Sequence, residues 1–181
     1  MRGCVKIFAD SVDGRLVLLS IRMPGDVVGE LAVLDGHLRS ATGRAAGPVV
    51  ARTIGATALN RYLATHPAAD RAVRDRIAGR LREATQERIQ VNNAAPVPRR
   101  LAWALCLLGE RYGVPVADGL LVDVPLSQAD IASLIATSEQ SVRKALSGLR
   151  AEGVVRWTYR KTVITDLDRL QQIAESAGGT R

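Results

Sequence analysis

The sequence contains few of the residues from which metal sites and disulfide frameworks are built. Among 181 residues there are two cysteines, Cys4 and Cys106, and two histidines, His37 and His66. The cysteines have neither a metal-ligand spacing nor a disulfide framework, and the histidines have no ligand partner nearby in the sequence. We therefore expect no metal site. Cys106 lies in an apolar run and is interpreted as a small buried hydrophobic residue.

Several other features are missing, and each absence excludes a class of protein. There is no secretory signal and no apolar run of about 18 residues, so we expect a cytoplasmic protein with no membrane partner. There is no nucleophile–base pair and no pattern of paired carboxylates, so an enzyme is not expected.

Basic residues outnumber acidic ones, and the excess is uneven along the chain. The 25 lysines and arginines against 18 acidic residues give a net charge of +7, which favours an anionic partner such as nucleic acid. Residues 118–137 include three acids and no base, whereas residues 138–161 include six bases against two acids. A basic patch therefore begins at Ser138.

The first third of the chain has the pattern of β structure. Four short segments are expected to form it: CVKIF, RLVLLSI, VVGELAVL and GPVVARTI. Asp13-Gly14 is a hairpin signal and Met23–Asp26 is a second turn. Strands joined by tight glycine turns are typical of a small barrel or sandwich. Four strands are few for a β domain that must cover both of its faces.

A glycine-rich segment from Gly29 to Ala45 places an acid, Glu30, nine residues before a base, Arg39. Two interpretations are open. The two side chains form an ordinary surface ion pair, or the segment is a loop that binds an anionic ligand. The residues alone favour the ion pair.

From Thr57 onward the apolar period becomes helical. A short helix is expected to end at Pro67, and a helix of more than twenty residues follows it. The apolar side chains of the long helix form a narrow stripe: Val73, Ile77, Leu81 and Ala84. Such a stripe favours pairing with a second copy across a two-fold axis, and the alternative is packing on its own domain. The segment 92–100 then breaks the helix.

The last part of the chain has the pattern of a helix-turn-helix. Ser127 is expected to cap a helix that starts at Gln128, and Ser138 to cap the next one, with a turn of about three residues between them. An apolar helix over 99–113 and a strand in 119–126 precede this motif. Two strands within 154–165 follow as a wing, and a last helix follows within 166–176.

The basic patch coincides with the second of these helices. Its first turn is expected to enter the major groove of DNA, with these candidates for base contacts: Glu139, Gln140, Arg143 and Lys144. The wing supplies candidates for phosphate contacts: Arg156, Arg160 and Lys161. The alternative is a winged helix used for protein contacts alone. The abrupt change of charge at Ser138 favours DNA.

Three motifs in this order carry a family resemblance: PGDVVGELAVLDGHLRSATGRA, the long helix, and LSQADIASLIATSEQSVRKALSGLRAEGVV. On these motifs the chain resembles the Crp/Fnr superfamily of bacterial transcription regulators, and its VITDLDRL ending is similar to the actinobacterial branch. The resemblance implies an α+β fold in three parts. They are a partial β jelly-roll cyclic-nucleotide-binding domain (1–56), a short helix with a long dimerisation helix (57–93), and a C-terminal winged helix-turn-helix (94–181).

The resemblance also implies which residues bind an effector such as cyclic AMP or another cyclic nucleotide. It gives the turn of Gly29, Glu30 and Leu31 to the cyclic phosphate and the ribose 2′-OH, and Arg39 with Ser40 to the phosphate. On the dimer helix, the two polar positions that reach the adenine correspond to Ala84 and Thr85, so one hydroxyl is missing. The loop between Glu30 and Arg39 is one residue shorter than in the best-known members.

For the DNA-binding part, the resemblance implies a dimer on a palindromic operator, with RNA polymerase as a further partner. It adds four contact residues to those above: Ser127, Gln128, Ser138 and Ser141. Glu139-Gln140 and Lys144 replace an Arg-Glu pair and an arginine, so a different operator is expected. Ala136 stands where members often have glycine, at a cost of about 1 kcal/mol if its φ is positive.

Family members carry further strands before the one that begins here at Gly3. Two interpretations are open: the recorded start is internal, or the chain is a truncated relative whose sensor pocket lacks the front of the β-roll. A ligand-independent DNA-binding or oligomerisation module with a degenerate sensor domain is the alternative function.

Overall fold

The computed structural model describes residues 3–11, 14, 16–92, 95–158 and 161–176. The chain forms two compact units, which divide between Ile89 and Gln90. The first unit has the following elements: β1 (Val5–Asp10), β2 (Leu16–Arg22), α1 (Glu30–Leu34), β3 (Thr42–Ala45), α2 (Ala56–Thr65) and most of α3 (Pro67–Asn92).

The three strands of the first unit form one antiparallel sheet in the order β2-β1-β3. Val5 in the central strand pairs with Arg22 on one side and with Ala45 on the other. The buried apolar residues in and beside this small sheet are Cys4, Ile7, Leu18 and Ile21. The β1–β2 hairpin is the one that the Asp13-Gly14 signal predicts.

Two of the four expected strands are wrong. The segment VVGELAVL contains the helix α1, because Gly29 adopts a left-handed conformation (φ 83°) that turns the chain into a helix starting at Glu30. The segment 47–54 forms no strand, and the third strand lies earlier, at Thr42–Ala45. Its four residues are all exposed, so backbone pairing with β1 holds it in place rather than side-chain propensity.

Helix α3 leaves the second half of its apolar stripe, Leu81 and Ala84, exposed within the single chain. None of its described side chains is buried, and Leu81 is 69% exposed. The second half of the stripe is therefore left uncovered by the domain that carries it, whereas Val73 and Ile77 in the first half are partly buried.

The second unit is a winged helix. Its elements are α4 (Val97–Tyr112), β4 (Gly113–Val116), β5 (Gly119–Val122), α5 (Gln128–Leu134), α6 (Glu139–Ala151), β6 (Val155–Thr158), β7 (Lys161–Ile164) and α7 (Leu167–Glu175). The strands form a sheet in the order β4-β5-β7-β6. The strand β4, which contains Pro115 and pairs with β5, was not expected from the sequence.

Helix α4 is the central element of this unit. Leu101 and Leu105 on α4 have no exposed surface, and the helix packs against both α6 and α7. Cys106 on the same helix is half-buried, and this burial, with Glu175 nearby, raises the pKa of its thiol to about 11. The thiol therefore stays protonated at neutral pH.

Within the described residues, no helix is long and apolar enough to span a bilayer.

Candidate functional site

The first unit contains a cavity of about 330 Å³ beside its sheet. Residues from β1, β2, the α1 region, the approach to β3 and α3 line it: Ile7, Arg22, Val28, Gly29, Glu30, Leu31, Ala32, Arg39, Ser40, Ala41, Gly43 and Arg80. Five of the residues that the sequence assigns to ligand binding, Gly29, Glu30, Leu31, Arg39 and Ser40, thus face one cavity.

Gly29 is required at the mouth of this cavity for two reasons. Its φ of 83° is a conformation that residues with a Cβ rarely adopt. A Cβ at this position would also overlap the Arg39 guanidinium, whose Nη1 donates a hydrogen bond to the Gly29 carbonyl. The chain therefore brings Arg39 against the turn that precedes α1.

Glu30 is buried, with 8% of its surface exposed, and its carboxylate accepts a hydrogen bond from Arg80 Nη1. Glu30 does not pair with Arg39, and among the described residues no carboxylate forms an ion pair with Arg39. The ion-pair interpretation of Glu30 and Arg39 is therefore wrong. The Arg39 side chain keeps an uncompensated positive charge at the cavity wall.

Arg80 is the cavity residue that the sequence analysis missed. Its Nη2 donates to the Val27 carbonyl at 2.9 Å and to Asp26 Oδ1 at 3.3 Å, in addition to the Nη1 bond to Glu30. The available signal was its place on α3, one helical turn before Ala84, on the face that the resemblance directs toward the ligand. The helix carries several other arginines, which are exposed to solvent, and nothing in the sequence distinguishes Arg80 from them.

Asp26 links the same loop to α3. Its carboxylate accepts from Arg76 Nη2 at 2.7 Å and from the Met23 backbone N–H at 2.9 Å. Burial raises the pKa of Asp26, but the Met23 hydrogen bond and the charges of Arg76 and Arg80 outweigh it, so the pKa lies below its ordinary value. We call these four residues, Asp26, Glu30, Arg76 and Arg80, the ionic cluster.

Thr85 is not brought to the cavity within the chain. It lies on α3 five residues after Arg80, it is exposed, and its hydroxyl donates to the Leu81 carbonyl at 2.8 Å. The assignment of Thr85 to the ligand stays a prediction.

In the second unit, α5 and α6 form the helix-turn-helix with the caps that the sequence predicts. The Ser127 hydroxyl and the Asp130 carboxylate form a capping box, and the Ser138 hydroxyl accepts from the Ser141 N–H at 3.2 Å. Ala136 in the turn has φ 47°, the left-handed conformation that the resemblance to a glycine position anticipated. The turn is therefore strained at a residue with a Cβ.

The face of α6 opposite its core carries the candidate base contacts. Val142, Leu146 and Leu149 point into the core, while four side chains are exposed: Glu139, Gln140, Arg143 and Lys144. At the helix starts, Ser127 and Ser138 are exposed or partly so, as are Gln128 and Ser141. Arg143 Nε lies 3.4 Å from Gln128 Oε1, so the first residues of α5 and α6 share one surface.

The wing is formed by β6 and β7. Lys161 at the start of β7 is exposed, whereas Arg156 on β6 pairs with Asp118 at 2.6 Å, so its charge is partly compensated. Arg160 lies outside the described residues.

Two family profiles match the chain. The profile described as a cyclic nucleotide-binding domain covers residues 1–66, and the profile described as a Crp-like helix-turn-helix domain covers residues 99–173. The order of the two matches is that of the cavity and the winged helix.

Individual relatives agree with the profiles. Over 172 residues the chain is 32% identical to a CRP-like cAMP-activated global transcriptional regulator of Mycobacterium tuberculosis, and the match covers 95% of this chain and 76% of that protein. It is 29% identical over 175 residues to the transcriptional regulator LdrP of Thermus thermophilus, covering 97% and 85%.

A solved structure agrees at the level of the fold. A CRP-family transcriptional regulator of Thermus thermophilus superposes with a TM-score of 0.76 at 28% identity, covering 99% of this chain and 88% of the other. The chain therefore belongs to the Crp/Fnr family of DNA-binding transcription regulators, with a cyclic nucleotide-binding domain and a Crp-like helix-turn-helix domain.

Proposed function

We propose that this protein is a homodimer whose affinity for a palindromic operator is controlled by a cyclic nucleotide, such as cyclic AMP, bound in the cavity of the first unit. The observation that carries the proposal is the convergence on one cavity of the Gly29–Leu31 turn, Arg39 and Ser40. The relative from Mycobacterium tuberculosis is described as cAMP-activated, and that supports the ligand class.

The cavity has the groups that a ribose cyclic phosphate needs. The guanidinium of Arg39 and the hydroxyl of Ser40 match a phosphate, to which the N–H groups at the start of α1 add donors without adding charge. The Glu30 carboxylate is an acceptor for a ribose hydroxyl, and Arg80 holds it in place. Ligand binding to Glu30 therefore acts directly on a side chain of α3.

The exposed apolar side chains in the second half of α3 support the dimer. Leu81 at 69% exposure and Ile89 at 46% lie on a helix with no buried side chain among those described, and a second α3 would cover them in the manner of a coiled coil. We assign the β-roll to residues 1–56, the dimerisation region to 57–93 and the DNA-binding domain to 94–181.

In the second unit, α6 is the proposed recognition helix. Ten residues are proposed to contact DNA: Ser127, Gln128, Ser138, Glu139, Gln140, Ser141, Arg143, Lys144, Arg160 and Lys161. In the two-fold dimer, the two α6 helices would meet half-sites one helical turn apart.

Calorimetric titration with cyclic AMP and cyclic GMP tests the ligand. We expect heat with at least one of them, and we expect Arg39→Gln to weaken that binding at least tenfold, because it removes the charge that faces the phosphate. Arg44→Gln is the matched control. Arg44 is a neighbouring arginine that lies over the Phe8 ring and not in the cavity wall. Absence of heat with both nucleotides would contradict ligand control and favour the ligand-independent alternative.

Operator binding tests the recognition helix. Lys144→Ala is expected to weaken binding to the operator by about 1–3 kcal/mol and to relax its sequence preference. Arg150→Ala removes the same charge from the last turn of α6, away from the first turn, and is expected to change affinity far less. Equal losses of operator affinity in the two variants would contradict the assignment of α6 as the recognition helix.

A further inference from the structure

The second unit contains a cavity that the proposed function does not use. It has a volume of about 480 Å³ and lies along α6, beside the first residues of α4 and the last turns of α7. The apolar side chains of its wall are Val97, Pro98, Ala145, Leu149 and Ile173. A cavity of this size with a mostly apolar wall is typical of a site for a small organic molecule.

The wall of this cavity includes a glycine that the packing of its own domain does not require. Gly148 lies inside α6, where glycine costs about 0.5–1 kcal/mol relative to alanine. A Cβ at this position would meet no atom of the surrounding described residues within 4 Å. Glycine is used where another molecule approaches the backbone closely. Together with Ala145, Gly148 leaves space on this face of α6 that larger side chains would fill.

One charge at the cavity has no partner. Lys144 lines the cavity from α6 and is exposed, and among the described residues no carboxylate forms an ion pair with it. The carboxylate in the wall, Glu152, pairs instead with Arg169 at 3.3 Å. Ser141 lies three residues before Lys144 on the same face of the helix and adds a hydroxyl to the wall. The uncompensated charge of the cavity is therefore positive, and an anionic group complements it.

We propose that this cavity binds an apolar molecule with one carboxylate, of the fatty-acid class. Its chain lies against α4, α6 and α7, and its carboxylate pairs with Lys144. The same ammonium group is a proposed contact for a DNA base, so the bound carboxylate competes with the operator for it. The binding itself is independent of the proposed function, whereas the competition rests on the assignment of α6 as the recognition helix.

Titration calorimetry of the full chain with octanoate tests the site, and 1-octanol serves as the uncharged molecule of the same chain length. We expect octanoate to bind at least about tenfold more tightly than octanol, because a hydrogen bond to a charged group is stronger than one between neutral groups. Lys144→Gln is expected to reduce the affinity for octanoate to about that for octanol.

A leucine substitution separates the cavity from the rest of α6. Gly148→Leu fills the cavity and is expected to abolish octanoate binding. Ser147→Leu introduces the same side chain at the neighbouring exposed position outside the wall, and it is expected to keep the wild-type affinity.

Three results would overturn the site. They are no binding of octanoate by wild type, equal affinities of wild type for octanoate and octanol, and equal affinities of the two leucine variants for octanoate. If Gly148→Leu unfolds, as a thermal melt would reveal, the ratio of the octanoate and octanol affinities in wild type and Lys144→Gln decides.

Operator binding in saturating octanoate tests the competition. We expect octanoate to weaken operator binding by wild type about tenfold, within the range for loss of one base contact, and to leave the operator affinity of Gly148→Leu unchanged. Octanoate binding with no change in operator affinity would overturn the competition and leave the site in place. Failure of the octanoate-free protein to bind any operator would contradict the proposed function and not the site.

Discussion

The two units have nearly equal lengths, residues 1–89 and 90–181, but their interiors differ in kind. Among the described residues, five buried apolar side chains belong to the first unit and nineteen to the second. The first unit instead buries Glu30 and pairs it with Arg80, whose side chain is 14% exposed. The second unit is organised around a large apolar core, whereas the first combines a small apolar core with a buried ion pair.

The two kinds of interior contribute to stability to different degrees. Each fully buried aliphatic side chain of the second unit stabilises it by about 1.5–3 kcal/mol. A buried ion pair adds little net stability, because desolvation of the two charges offsets their attraction. The ionic cluster therefore does not replace an apolar core; it holds the loop that lines the cavity against α3.

The largest expected effect comes from breaking the cluster at its centre. Arg80→Met removes the partner of Glu30 and one partner of Asp26, and leaves a carboxylate buried without a counter-charge. We expect the free energy of unfolding of the first unit to fall by about 3–5 kcal/mol. The measurement is denaturant unfolding, with hydrogen exchange used to report on each unit separately.

Arg74→Met is the matched control, since Arg74 pairs with Asp70 on the exposed side of the same helix and its loss is expected to cost less than about 1 kcal/mol. If Arg80→Met left exchange in the first unit unchanged, the contrast between the two interiors would fail.

A core truncation tests the other half of the contrast. Leu105→Ala, at a position with no exposed surface on α4, is expected to destabilise the second unit by about 3 kcal/mol through lost burial and the cavity it leaves. Val114→Ala, at a half-exposed position on β4, is the control and is expected to cost well under half as much. Similar losses for the two variants would argue against a core centred on α4.

Acidification is expected to destabilise the first unit through Asp26. The folded-state pKa of Asp26 is depressed, so its contribution is fully present above the ordinary value of 3.8 and is lost as pH falls through the lower, folded pKa. The free energy of unfolding of the first unit should fall as the pH is lowered below about 5, and Asp26→Asn should make the profile flatter over this acid range. Asp118→Asn, in the exposed pair with Arg156, is expected to leave the first unit's profile unchanged.

The smallest expected effect is a gain. Ala136→Gly relieves the left-handed strain in the helix-turn-helix and is expected to stabilise the second unit by about 1 kcal/mol. Ala129→Gly, inside α5, is the control of opposite sign, with an expected loss of about 0.5–1 kcal/mol. A loss in both variants would mean that the positive φ of Ala136 is not a source of strain.

Sequence analysis was most successful where structure is encoded locally. The helix-turn-helix was predicted with its caps because Ser127 and Ser138 stand directly before helices with a clear apolar period. Strand β3 was missed because Thr-Gly-Arg-Ala has little strand propensity and is held by pairing with β1. Strand β4 was missed because it is only four residues long and includes a proline, which disfavours strand structure.

The candidate site likewise has a part that is encoded locally in the sequence and a part that is not. The family motif placed Gly29, Glu30, Leu31, Arg39 and Ser40 together because they are close in sequence. Arg80 was missed because its bond to Glu30 spans fifty residues, and no periodicity in either segment encodes a pair at that separation.

The spacing of the cluster has a geometric consequence for α3. Arg76 and Arg80 are one turn apart and both reach Asp26, which is possible at a single rotational setting of the helix about its own axis. A rotation by one residue, about 100°, would carry both guanidinium groups away from the carboxylate together. The loop from Asp26 to Glu30 thus fixes the rotation of α3 about its own axis. Any rotation of the helix would first have to break the ion pairs of Arg76 and Arg80 with this loop.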